Sequence, residues 1–414
     1  MTFLILRRNI LGLCALLLCM TFPMQMTGKG KVKFSAQEKV ELNQMIEQAL
    51  GNARNQALLM ARELENQEGR LPKNVDKNGK FNTSDCFWWC SGFFPGILWM
   101  LSEDQPQNKQ LRQYAELFTQ RVEPVRNEKH SHDVGFMLNC SFGHAYRITG
   151  DKAYLPVLSD GARNLAARFI PKAGVTRSWE PNKKWKNPVI IDNMMNMELL
   201  ELIGKMEKNQ RYLDIAESHA KTTIKNHYRE DYSTFHVVDY DDQTGEILHR
   251  QTAQGYADNS AWARGQMWGL YGYSMMYRET GDKTYLKQAQ QVAKYLTGRS
   301  NWPEDMVPYW DFDCPDIPNT VRDASSAAIM ASALIELSTF DKKSNAKRWM
   351  ATAIKQLKSL ASPAYTAPAG SHHGFILLHS TGSFPANSEV DIPLTYADYY
   401  YVEALLRLKK LLNN

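Results

Sequence analysis

The sequence predicts an all-α protein in which helical hairpins close into a ring, and three observations carry that prediction. Apolar residues recur at helical spacing, as Val40, Leu42, Met45, Ile46, Ala49 and Leu50 do between Ser35 and Glu65. A joint motif returns: Arg147-Ile-Thr-Gly-Asp-Lys-Ala-Tyr154-Leu155 reappears as Arg278-Glu-Thr-Gly-Asp-Lys-Thr-Tyr285-Leu286, with a looser echo from Lys208 to Ala216. No Pro/Gly-rich linker divides the chain.

Each joint reads as one helix closed by a Gly or Asn stop and the next opened by Asp or another polar residue. Further joints fall near Pro106 to Leu111 and near Asp341 to Trp349. Their spacing of roughly 40 to 70 residues is too long and irregular for an open solenoid of short repeats. About six hairpins fit between Ala36 and Asn414. Six can close into an (α/α)6 barrel, with an inner ring of helices and long loops forming a funnel at one end. One β-hairpin is expected, Ser233 to Asp239 pairing with Gly245 to Arg250. Residues 29–414 are expected to form a single domain.

The first residues read differently. Arg7 and Arg8 precede an apolar run from Ile10 to Phe22, and no acidic residue appears before Glu38. That pattern matches a secretory signal of about 28 residues. A buried N-terminal helix is the other reading, and the run is too short to span a bilayer. Export, most simply to a periplasm, is the expectation; a lipid anchor at Cys19 is a weaker one, because Leu18 before it fits poorly. Loss of residues 1–28 removes Arg7 and Arg8 and no acid, taking the net charge from +5 to +3. Cys86, Cys90, Cys140 and Cys314 then remain. They contain no C-x2-C pair, so a structural zinc site is not expected. Cys86 and Cys90 are either oxidised to each other or buried as free thiols.

Composition narrows the function. With 43% apolar and 22% charged residues the chain is neither disordered nor a polytopic membrane protein. Lys and Arg never run beyond pairs, so no concentrated basic face for nucleic acid is expected. The 10 Trp, 19 Tyr and 16 Phe are more rings than a core requires, and such a surplus suits a site for a ring-shaped ligand.

Four segments join aromatics to polar groups. Asp85-Cys-Phe-Trp88-Trp89-Cys-Ser-Gly92-Phe93-Phe94-Pro95-Gly96 is either a packed cap or an aromatic wall for sugar rings. His130-Ser131-His132-Asp133-Val-Gly135-Phe136 precedes a helical stretch, where Asp133 alone reads as an N-cap. In Val189-Ile-Ile-Asp192-Asn-Met-Met-Asn196-Met-Glu198 an N-cap also explains Asp192. Its apolar neighbours, however, disfavour the charged form, and a carboxyl holding a proton near neutrality is what a general acid needs. In Gln254-Gly-Tyr256-Ala-Asp258-Asn-Ser260-Ala-Trp262-Ala-Arg264-Gly-Gln266-Met-Trp268, Arg264 and Trp268 stand four apart. On one helical face they would set a guanidinium beside an indole, for a carboxylate on a ring or as a structural cation–π pair. His236 lies alone in the preceding strand-like segment.

Together these segments resemble glycoside hydrolase family 88, the unsaturated glucuronyl hydrolases. The resemblance rests on Trp-Cys-Ser-Gly-Phe-Phe, His-Asp-Val-Gly-Phe, Ile-Asp-Asn-Met-Met-Asn and Trp-Ala-Arg-Gly-Gln-Met-Trp in that order. The tail from Pro393 through Tyr396 and Asp398 to Leu405 adds to it. It implies an (α/α)6 barrel, with Asp192 as general acid/base and Asp133 as its carboxylate partner. It assigns Trp89, His132, Trp179, His236, Gln254, Arg264 and Trp268 to substrate, with Trp88 and Trp185 as substitutes for the first and third. The implied substrate is an oligosaccharide ending in a 4,5-unsaturated uronic acid. The implied chemistry is protonation at C4 and addition of water at C5, with no metal or cofactor.

Three rivals stay open: a rhamnogalacturonyl hydrolase on the same barrel, a conventional inverting glycosidase, and a non-catalytic exported sugar-binding protein. Gln266 and His132-Asp133 favour the glucuronyl family over the first. His372, His373, Ser380, Thr381 and Ser383 are candidates for the pocket rim, or equally for a loop without ligand contact.

Overall fold

A computed structural model describes residues 32–413. The expected signal segment, with Cys14 and Cys19, lies outside the described residues.

Helix α1 (Ala36–Leu64) opens with a capping box, the Ser35 hydroxyl accepting the Glu38 N–H while the Glu38 carboxylate accepts the Ser35 N–H. Six helical elements then form an inner ring: α2 (Phe93–Asp104), α4 (Val134–Leu138), α7 (Asn193–Glu207), α9 (Ala263–Thr280), α11 (Ala324–Phe340) and α13 (Thr395–Asn413). A π-helical turn, Asn139–Gly143, carries α4 into α5 (His144–Thr149), so the two make one interrupted inner helix. Neighbours around the ring touch in order, and α13 closes on α2. Outside them lie α3 (Lys109–Val122), α6 (Leu155–Ala167), α8 (Gln210–His227), α10 (Lys283–Gly298), α12 (Lys343–Leu360) and α1, all packed on the inner ring, with α6 lying against both α4 and α7. This is the (α/α)6 barrel.

Burial follows from composition. The inner helix α11 reads Ala-Ser-Ser-Ala-Ala-Ile-Met-Ala-Ser-Ala, and all its residues from Ala324 to Ser338 are buried. The outer helix α3 buries only the stripe Leu111, Tyr114, Ala115, Phe118, Thr119 and Val122, as an amphipathic helix does.

The connections are of two kinds. From an inner helix outward they are tight. Gly150 and Gly281 close their helices in the left-handed region (φ 69° and 71°), and Asp151 and Asp282 accept the N–H groups of Ala153 and Thr284 to start the next helical turns. These are the repeated motifs of the sequence. From an outer helix inward the connections are long (65–92, 123–133, 168–192, 228–262, 299–323 and 361–394), and they carry every strand among the described residues. Strand β1 (Leu71–Val75) pairs with β2 (Phe81–Ser84), β3 (Phe169–Ile170) with β4 (Val175–Thr176), and β8 (Ser380–Ser383) with β9 (Ser388–Ile392).

The expected hairpin is present in a shorter form, β6 (Val237–Tyr240) against β7 (Ile247–Gln251), with Val238 opposite Arg250. It does not begin at Ser233, because the buried Gln266 amide holds both the N–H and the C=O of Thr234. A third strand, β5 (Pro188–Ile190), pairs with β6 and was not expected. Cys86, Cys90, Cys140 and Cys314 are all free and buried, and burial pushes the Cys86 thiol up to about 11.

Candidate active site

Because tight joints occupy one end of the barrel, the inner helices all start at the other end, under the long loops. Asp133 and Asp192 stand at the starts of α4 and α7, Arg264 and Tyr396 are the second residues of α9 and α13, and Asp323 precedes α11. Helix N-termini carry partial positive charge, so their convergence favours an anionic ligand. Asp133 and Asp192 occupy N-cap positions, yet neither carboxylate makes a capping hydrogen bond. The N-cap reading of both residues therefore does not account for them.

The Asp192 side chain is 12% exposed, and its Oδ2 is buried without a hydrogen-bond partner. Burial pushes its pKa up to about 8; the Arg264 charge opposes this and the Asp133 charge adds to it. The sheet puts His236 beside it. Asp192 follows β5 and His236 precedes β6, and the Ile191 N–H donates to the His236 carbonyl at 3.1 Å. His236 Nδ1 accepts the N–H groups of Ala253 and Gln254 at 3.1 and 3.2 Å, which leaves the ring proton on Nε2. That nitrogen has no hydrogen-bond partner and stands 4.0 Å from Asp192 Oδ1. Burial, followed by Arg264, holds the His236 pKa well below the usual imidazole range, so the ring is neutral.

A parallel arrangement supports Asp133. Gly135 lets α4 approach α7, since a Cβ there would lie 2.6 Å from the Asn196 Cα. Asn196 Oδ1 then accepts the Phe136 N–H at 2.7 Å, and its Nδ2 faces His132 Nδ1 at 3.3 Å. This sets the His132 proton on Nε2, 3.3 Å from Asp133 Oδ1, in a contact too poorly aligned to be a hydrogen bond. The Ser131 hydroxyl donates to Asp133 Oδ2 at 3.1 Å. Burial lowers the His132 pKa against the pull of Asp133.

Arg264 departs from expectation. Its guanidinium lies over the Trp262 ring (4.6 Å) and the Tyr396 ring (5.2 Å), not over Trp268. A helical side chain leans toward its own N-terminus, so the second residue of α9 reaches back over Trp262. Its donors go to the carbonyls of Thr381 (2.5 Å) and Gly382 (2.6 Å) and to Asp323 (3.3 Å). Asp323 also accepts the Thr381 N–H and two serine hydroxyls.

The remaining expected residues divide. Gln254 donates from Nε2 to the Gly382 carbonyl, which places it beside Arg264. Trp179 meets His236 edge-on at 6.1 Å and is backed by Trp185, whose indole N–H is taken by Gln251. Trp89 lies among Phe93, Phe136 and Tyr396, whereas Trp88 lies under Lys73 on β1. Trp268 is 1% exposed beneath Phe136 and Tyr400, as a floor and not an open wall. Of the rim candidates, Ser380 and Thr381 are buried, the Thr381 hydroxyl donating to the Arg322 carbonyl, and His373 pairs with Glu63 against Phe81.

Sequence reasoning missed Trp262, Tyr396, Asp323 and Asn196. The Trp262-Ala-Arg264 spacing was the one available signal. Among the described residues no group of His, Cys, Asp and Glu is arranged to hold a metal ion. No helix among them is long and apolar enough to cross a membrane.

Comparison with known proteins gives concordant results. The family model described as Glycosyl Hydrolase Family 88 matches residues 60–362. An unsaturated glucuronyl hydrolase of Formosa agariphila is 43% identical over 326 residues, 78% of this chain and 80% of that protein. One from a Bacillus species is 32% identical over 376 residues, 88% of this chain and 97% of that protein. The crystal structure of an unsaturated glucuronyl hydrolase specific for heparin superposes with a TM-score of 0.84 at 43% identity, covering 88% of this chain and 98% of that one.

Proposed function

This chain belongs to glycoside hydrolase family 88, and from that premise we propose that it removes a 4,5-unsaturated uronic acid from the nonreducing end of lyase-generated, glycosaminoglycan-type oligosaccharides. The observation that carries this reading is Asp192, a buried carboxyl with one unpartnered oxygen and a pKa near 8, close enough to Asp133 to feel its charge.

A carboxyl in that state keeps its proton at neutral pH and can give it to an electron-rich carbon. Asp192 protonates C4 of the vinyl ether, and the positive charge develops at C5 and the ring oxygen. Water adds at C5 and surrenders a proton to the Asp192 carboxylate, which restores the acid. The resulting hemiketal opens and releases the remaining sugar. Protons and electrons balance without a cofactor.

The surroundings fit each step. The neutral His236 Nε2–H can donate to the Asp192 carboxylate while that group is ionised. Arg264 is held by three hydrogen bonds to two carbonyls and Asp323 and contributes charge to the pocket; with the converging helix ends it complements the uronate carboxylate. Trp89, beside Phe136 and Tyr396, and Trp179, beside His236, supply aromatic surfaces for the sugar.

The test measures the ultraviolet absorbance of the C4=C5 bond in unsaturated disaccharides from heparin, chondroitin, hyaluronan and pectin. Absorbance should fall with the wild type and persist with Asp192→Asn. Equal cleavage of a saturated glucuronide would overturn the hydration chemistry. We further place the enzyme outside the cytoplasm, on the strength of Arg7, Arg8 and the apolar run from Ile10 to Phe22. N-terminal sequencing of exported protein should find residues near 1–28 removed, and an intact N-terminus would refute that placement.

A further inference from the structure

Three aromatic rings of the described residues are more than a third exposed: Phe87 (50%), Tyr256 (50%) and Phe384 (38%). Each stands two residues from a pocket residue, namely Trp89, Gln254 and Gly382, whose carbonyl holds both Arg264 and Gln254. Phe384 differs from the other two in what lies behind it. The His236 ring packs on Trp262 at 4.4 Å, Trp262 shares an apolar cluster with Trp310, and Trp310 stacks on Phe384 at 4.4 Å and 17°. Ring contacts and one shared apolar cluster thus link the His236 ring to Phe384, which is 38% exposed.

That ring is held firmly. Phe384 occupies the turn between β8 and β9, where its carbonyl accepts the Asn387 N–H at 2.9 Å. Strand β8 is tied to the barrel through Thr381 and Asp323. An aromatic ring with one face packed and the other open suits the C–H face of a pyranose.

We propose that Phe384, backed by Trp310, is a platform for a sugar ring beyond the first one on the reducing side of the cleaved linkage, so that the pocket is built for fragments longer than a disaccharide. The inference rests on the functional reading above. An enzyme that takes the nonreducing end inward must lead the rest of its substrate outward, and Phe384 is an exposed ring two residues from Gly382, whose carbonyl holds Arg264 and Gln254.

The experiment compares an unsaturated disaccharide with the unsaturated tetrasaccharide of the same backbone. Wild type should favour the tetrasaccharide in kcat/KM by roughly tenfold, the scale of one ring contact. Phe384→Ala should lose most of that ratio, and Phe384→Tyr, which keeps the flat ring, should retain it. A wild type without preference, or a Phe384→Ala loss equal on both substrates, overturns the platform. Failure of every unsaturated sugar to react would instead defeat the functional reading. The platform would then still be decided by calorimetric affinity of wild type and Phe384→Ala for the tetrasaccharide, equal affinities refuting it.

Discussion

At the N-terminal ends of the inner helices Asp192 keeps one oxygen without a partner, whereas toward their C-terminal ends the buried charges are shared among several groups. There Arg278 donates to Glu198, Glu279 and Glu336, and Arg407 donates to Glu336, Glu403 and the Tyr271 hydroxyl. Burial acts on both regions with opposite results. It pushes Asp192 up to about 8, while Glu336, which burial alone would raise, is held below the usual carboxylate range by Arg278 and Arg407. Asp398 shows that a raised value is not itself a function. It too is pushed up to about 8 by burial, yet its oxygens accept the N–H groups of Ile376 and Leu377 and hold the chain before β8. Glu201 is also buried with one unpartnered oxygen and a raised pKa, but Lys205 stands 3.3 Å from its other oxygen; proton-transfer chemistry is expected where a buried carboxyl has an unpartnered atom and no paired cation.

The strongest test of that contrast is Asp192→Asn, which should lower kcat by about 10³ to 10⁴-fold in the absorbance assay with the fold retained, the upper scale of acid/base catalysis. Loss of less than tenfold would put the acid elsewhere. At the other end Arg278→Met should destabilise by about 3–5 kcal/mol in denaturant unfolding, because it strands buried carboxylates. The surviving folded enzyme should keep the wild-type pH profile, and a changed profile would mean that the two ends are coupled.

Asp133→Asn should cost about 10²-fold and also move the alkaline limb. Activity requires protonated Asp192 and so falls as pH rises through about 8. Removing the like charge of Asp133 lowers the Asp192 pKa, so the limb should shift to lower pH; a shift upward would contradict the geometry. The smallest effect is on stability. A carboxyl whose folded pKa exceeds its unfolded value near 4 loses stability as pH rises between the two. Asp192→Asn should therefore be more stable than wild type at pH 7, by about 1–2 kcal/mol, with the difference vanishing below about pH 4. Equal melting temperatures at both pH values would show that Asp192 is not strained by burial.

The parts of the site legible in the sequence were those with a local signature. Asp133 alone reads as an N-cap and is singled out only by the family resemblance, whereas Asp192 among Ile and Met announces itself through its neighbours in the chain. The glycine-aspartate joints were legible for the same reason, since a left-handed Gly followed by a capping Asp needs nothing beyond a few residues. The environment of Arg264 was not legible. Thr381, which takes one of its hydrogen bonds, is 117 residues away, and Asp323 is 59 away. Periodicity placed Arg264 and Trp268 on one face, but the lean of a side chain at a helix start chose Trp262 instead. Strand β5 is only Pro188, Val189 and Ile190, too short to show alternation, and its pairing with β6 was needed to bring His236 beside Asp192.

The sequence by itself determined a helical hairpin protein with Asp192 as a candidate acid, because helix periodicity, stop signals and apolar context are all read within a few turns of the chain. Tertiary structure alone decided that the inner helices start at one end and that a three-stranded sheet aims His236 at Asp192. It also decided that Asp192 loses its water-like surroundings while the Arg278 and Arg407 network shares its charges among several partners. Those outcomes depend on ring closure, and closure is set by contacts between segments far apart in the chain.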